Sequence, residues 1–178
     1  PLNHFALFEK YLWQPTDENK TLFISGITNE QPAQTFLELA ISYYNNGSID
    51  ESGNVLKLSP SNDLVAYWMA FLLDKQGKSF SSFLDKADEL SPAFIFPFRS
   101  EDEAVLLWAA NHSNNWKPKY YLALLYKNRN RKDESKRLFM QCCNQSGFAP
   151  FYAARAALFS VAAGEPQLTH IKKEIQLD

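Results

Sequence analysis

The side chains of this chain that could carry chemistry are its histidines, its paired carboxylates, two neighbouring cysteines and one basic run. A helical zinc site presents histidines as H-x-x-x-H or H-E-x-x-H. His4, His112 and His170 are too widely separated for either pattern and read as surface or cap histidines. An acid–base pair of the glycosidase kind needs one carboxyl raised by an apolar pocket. The acidic pairs Asp50–Glu51, Asp88–Glu89, Glu101 to Glu103 and Asp133–Glu134 all fall at helix starts or on polar faces. Cys142 and Cys143 are adjacent, and neighbours on a helix point about 100° apart, so the pair is a poor structural disulfide. The basic run Lys127, Arg129, Arg131, Lys132, Lys136 and Arg137 reads as a solvated turn balanced by Asp133 and Glu134. No G-x-S-x-G, P-loop or dinucleotide glycine cluster is present. The sequence therefore points to no catalytic, cofactor-binding or metal-ligating residue, and to no cofactor.

Composition bounds the remaining roles. The 178 residues suffice for one packed domain or a short repeat array. Hydrophobic residues make up 46% and aromatics 15%, which is the composition of a packed chain. The net charge of -2 argues against nucleic acid or an anionic membrane as partner. No apolar run reaches the roughly 18 residues of a membrane span. The chain starts at Pro1 without Met, which reads as a piece of a longer protein.

The elements that position these residues are helical. Leu2, Phe5, Phe8 and Leu12 recur at helical spacing, and Pro15 with the polar Thr16 to Lys20 reads as the end of that helix. An internal repeat follows. Ala40, Ala70, Ala123 and Ala157 are each followed, seven residues on, by Gly47, Gly77, Asn130 and Gly164. The small residue marks close helix contact, and the Gly or Asn suits the left-handed conformation that ends a helix. Second helices are expected over Ile49 to Leu58, in the pair that runs from about Asn62 to Leu90, in the pair within Trp116 to Gly147, and over Gln167 to Gln176. Pro92 and Pro97 make Ala93 to Phe98 extended. Phe94, Phe96 and Phe98 then share one face and are expected to plug a seam between helices. Ser100 and Glu103 are expected to form the capping box of the next helix. The domain expectation is a single unit over 1–178. It has an N-terminal helical cap at 1–31, helix pairs at 32–60, 61–92, 115–148 and 149–178, and an insert at 93–114.

The stretch Trp116 to Gly147, with Leu122, Ala123 and Tyr126 followed by Ser135, Phe139 and Cys142, resembles the tetratricopeptide repeat. Lys119 replaces the usual Trp and Gly147 the usual Pro. The segments H-F-A-L-F-E-K-Y-L-W, T-F-L-E-L-A-I-S-Y-Y, F-I-F-P-F-R and W-K-P-K-Y-Y-L-A-L-L-Y further resemble the C-terminal repeat region of large Bacteroidetes proteins. Those proteins carry an upstream β-rich domain of unknown function. The resemblance implies an all-α fold, a tetratricopeptide-like right-handed α-α superhelix (solenoid) with one irregular insert. It implies a non-catalytic interaction or scaffold module for a protein, a peptide segment or another domain of the same chain. The alternative is an accessory that shapes or orders a carbohydrate-active domain. By the same resemblance the inner face would carry Leu37, Ile41, Tyr67, Phe71, Tyr120 and Leu124. The Lys and Asn of the two-carboxylate clamp for chaperone C-termini are missing from those positions. That face is either filled by the chain's own N-terminal helix or insert, or open as a groove with Tyr120 at its edge.

Overall fold

The computed structural model describes residues 2–142 and 147–159. Among them there are ten α-helices and no strand. They are α1 (Leu2–Trp13), α2 (Asp17–Ser25), α3 (Pro32–Asn45), α4 (Ile49–Lys57), α5 (Asp63–Lys75), α6 (Ser81–Glu89), α7 (Ser100–His112), α8 (Lys117–Asn128), α9 (Lys132–Gln141) and α10 (Ala149–Phe159). Over the described residues the fold is all-α and built from tetratricopeptide-like helix hairpins. It divides into two compact units, Pro1–Ser91 and Pro92–Asp178. The helix expected over Gln167 to Gln176, with Gly164, His170 and Cys143, lies outside the described residues.

Three hairpins share one turn chemistry. Gly47, Gly77 and Asn130 have φ of +82°, +66° and +60°. In each, the next residue donates its backbone N–H back into the helix: Ser48 to Tyr43 O at 2.9 Å, Lys78 to Leu73 O at 2.9 Å, Arg131 to Tyr126 O at 2.8 Å. These six-to-one bonds close a Schellman motif, which satisfies carbonyls left over at a helix end. Asn is the non-glycine residue that best tolerates this region. Seven residues before each turn residue lie Ala40, Ala70 and Ala123, all fully buried. A methyl there lets the two helices of a hairpin approach closely.

Unit 1 holds α3–α4 and α5–α6 as hairpins, with α1–α2 packed ahead of them. The residues expected to end α1 in fact start α2. The Thr16 hydroxyl accepts the Asn19 N–H at 3.2 Å, and Asp17 and Glu18 occupy the first turn. A hydroxyl followed by acids favours a helix start as strongly as it suggests a loop. Phe8 packs on Phe23 and on Tyr43, and Phe23 on Phe36, with ring centroids 5.1, 5.6 and 5.5 Å apart. These contacts seat the first two helices on α3.

Unit 2 opens with the irregular stretch 92–99 and α7, followed by the α8–α9 hairpin and α10. Helix α7 packs on α8 as α4 packs on α5. The insert thus supplies the second helix of a hairpin whose first helix is replaced by an extended strap. The capping box of α7 lies one residue earlier than expected. Arg99 N–H donates to Asp102 Oδ2 at 3.2 Å, and Asp102 is buried. Trp116, Tyr120, Phe139 and Phe151 form the aromatic centre, with Trp116 to Phe151 at 5.7 Å and Tyr120 to Phe139 at 6.0 Å.

Candidate interaction surfaces

The structure gives the residues singled out for chemistry structural work. His4 Nε2 bonds the Gly26 carbonyl at 3.1 Å. His112 Nδ1 bonds the Trp108 carbonyl at 2.8 Å, with its ring stacked on Trp108. Asp50 accepts from Gln76 at 2.9 Å, which ties α4 to the turn after α5. Asp88 accepts from the buried Tyr67 hydroxyl at 3.1 Å. Burial first, and the neighbouring Asp88 second, raise the Tyr67 hydroxyl far above its ordinary range. Among the described residues no group of three His, Cys, Asp or Glu side chains could hold a metal ion. No described helix is long and apolar enough to cross a membrane.

The basic run is not simply balanced within its own turn. Glu103 on α7 accepts from Tyr126 at 2.9 Å, from Arg129 at 2.7 Å and from Arg131 at 2.7 Å. Arg131 also grips Glu134 through two bonds and lies 3.7 Å over the Tyr126 ring. Burial alone would push the Glu103 carboxyl up. The hydrogen bonds from Arg131 and Tyr126, with the two guanidinium charges, outweigh it and hold the group below the ordinary carboxylate range. The network fixes α7 to the α8–α9 turn. Sequence reading missed it because Glu103 lies 26 and 28 residues from its partners.

The six residues expected on an inner face fall in two units. Leu37 and Ile41 on α3 and Tyr67 and Phe71 on α5 belong to unit 1, and all four are buried. Tyr120 and Leu124 on α8 belong to unit 2. Leu124 is half-buried. Tyr120, expected at a groove edge with its hydroxyl in water, is only 4% exposed. The rings of Trp116, Phe148 and Phe151 enclose it at 5.4, 5.8 and 5.7 Å. Burial pushes its hydroxyl up to about 12.

Three exposed aromatic side chains stand elsewhere, on the stretch before α7. Phe94, Phe96 and Phe98 are 80%, 59% and 57% exposed, so these rings do not plug a seam. The alternation is real but its sense is inverted: Ile95 and Pro97 point inward and the three rings outward. Phe94 has φ of +62°, a left-handed residue that breaks the extended run at its start. Arg99 lies 4.2 Å over the Phe98 ring, so a cation closes the strip.

No protein-family model matches the sequence, and no curated protein matches it. Among solved structures the chain is similar to MamA from AMB-1, at 17% identity, covering 99% of this chain and 92% of that one, with a TM-score of 0.43. A MamA structure from MSR-1 gives 17% identity, 99% and 95% coverage and a TM-score of 0.43. MamA from Desulfovibrio magneticus RS-1 gives 16% identity, 84% and 96% coverage and a TM-score of 0.34. Likeness at this level says nothing of partner or activity.

Proposed function

We propose that the chain is a non-catalytic interaction module that contacts a protein, or another domain of its own polypeptide, through the strap before α7. One observation carries this reading. Three phenylalanine rings at alternate positions of one short stretch are exposed, while the single residues between them are packed. Isolated exposed apolar residues are ordinary, but a contiguous aromatic strip is a costly surface that contact with a partner would cover. Phenylalanine and tyrosine bury large rigid areas and concentrate interface energy. The chain's polar clusters are taken up by helix tethering, and those clusters supply no poised acid, base or nucleophile.

The test places a photo-crosslinking phenylalanine analogue at Phe96 in the source cell. A discrete adduct with one protein, missing when the analogue replaces exposed Glu30, supports the reading. A pattern identical at Phe96 and Glu30 rejects it.

A further inference from the structure

A second surface lies within unit 1. Helices α4, α5 and α6 meet around a cleft of about 170 Å³. Leu56, Val65 and Met69, all buried, and half-buried Phe83 line its interior. Lys57 from α4 and Lys86 from α6 line its mouth, and both are exposed. Ser59 and Ser61 add hydroxyls to the same rim, and no carboxylate is among the lining residues. Lys57 bonds the neutral Asn54 amide oxygen at 2.9 Å and has no carboxylate partner among the described residues. The described lining thus carries two cations, in a chain of net charge -2.

We propose that this cleft binds an acidic, aliphatic peptide segment of a partner protein. One branched aliphatic side chain enters between Leu56, Met69 and Phe83. Flanking carboxylates of the peptide meet Lys57 and Lys86, one from each flanking helix. The small volume suits a single side chain, and a long acyl chain would overfill it. Among the described lining residues Phe83 is the one ring, which gives no stacking platform of paired aromatics for a nucleic-acid base. Small apolar sockets with a few placed charges are how proteins fix an anchor residue and its orientation. The two sites share no residue, so the strap reading and this one fail independently.

The chain contains two methionines, Met69 in the cleft and Met140 on α9. Met69 is 4% exposed and Met140 62%. Isotope-labelled methionine methyls therefore give one NMR signal inside the site and one internal control. Titration with acetyl-Asp-Leu-Glu-Leu-Asp-amide should move the Met69 signal saturably and leave Met140 in place. Lys57→Glu with Lys86→Glu should weaken that binding by roughly tenfold or more, since two exposed ion pairs become repulsions. Lys57→Arg with Lys86→Arg should retain it. An unmoved Met69 signal overturns the proposal. So does an equal response to acetyl-Lys-Leu-Lys-Leu-Lys-amide, or a response to octanoate where the acidic peptide gives none.

Discussion

Ser135 donates its hydroxyl to the Ala123 carbonyl at 2.7 Å, across the tightest crossing of the α8–α9 hairpin. Ser52 holds the same place in the α3–α4 hairpin, 12 residues after Ala40 as Ser135 is 12 after Ala123. It is equally buried, yet its hydroxyl has no hydrogen-bond partner among the described residues. Removing a buried hydroxyl that is bonded costs about 1 kcal/mol, while removing one that is not relieves a desolvation penalty. Ser135→Ala should thus lower stability by about 1 kcal/mol. Ser52→Ala should leave it unchanged or raise it. Urea midpoints of the two variants decide the point, and equal losses would contradict it.

The turns make a paired prediction of opposite sign. A Cβ at Gly47 would meet nothing within 4 Å, so the cost of Gly47→Ala is purely conformational. Forcing a residue with a Cβ into that region costs about 1–2 kcal/mol. Asn130 already holds φ of +60°, so Asn130→Gly should be neutral or slightly stabilising. Thermal unfolding that ranks the two variants the other way would show that the turns are not equivalent.

Ala123 is fully buried at the same crossing. Enlarging it forces helix against helix, and Ala123→Leu should cost about 1–3 kcal/mol, as overpacking does. An unchanged denaturant midpoint would place the crossing elsewhere.

Much of this was legible because it is local. The turn residues Gly47, Gly77 and Asn130, and the alanines seven positions before them, follow from conformational and steric limits on single residues, whereas Ala157, expected in the same role, is exposed and Ala156 is buried beside it. Errors arose where two local readings were available. Thr16 to Lys20 is polar enough for a loop, but its hydroxyl and acids suit a helix start better. The box at α7 slipped by one residue because Ser100 reads as a better side-chain cap than Arg99, while the bond from Asp102 needs only a backbone N–H, which Arg99 supplies. The cleft and the enclosure of Tyr120 could not be read directly. Lys57 and Lys86 stand on different helices, and Tyr120 is enclosed partly by rings from α10 and the residue before it.

The Glu103 network predicts an acid-side loss of stability. The Glu103 carboxyl is held below its ordinary value of 4.5 in the folded protein. A depressed carboxylate stabilises fully above the unfolded-state value, and the contribution disappears as pH falls through the folded one. The loss should begin near pH 4.5 and deepen below it. Glu103→Gln should flatten that part of the profile and lower stability at pH 7. A variant with the wild-type acid slope would assign the slope to other carboxylates.

The strap supplies the last prediction, since its inverted alternation separates neighbours sharply. Ile95 is buried and Phe96 is not, although phenylalanine is the larger and more apolar-looking signal in F-I-F-P-F-R. Truncating a buried isoleucine loses its transfer energy and leaves a cavity, so Ile95→Ala should cost about 2–5 kcal/mol. Phe96→Ser removes a ring already in water and should change stability by no more than about 0.5 kcal/mol. It should also reduce binding of an apolar dye such as ANS, which reads exposed aromatic surface directly. If Phe96→Ser destabilised as much as Ile95→Ala, the rings would be packed in solution and the strap could not be the contact surface. If Ile95→Ala were harmless while Phe96→Ser abolished dye binding, the strap would be loose along its whole length. The expected pattern, a costly Ile95 and a silent Phe96, makes the strap a rigid presentation of three rings held from beneath.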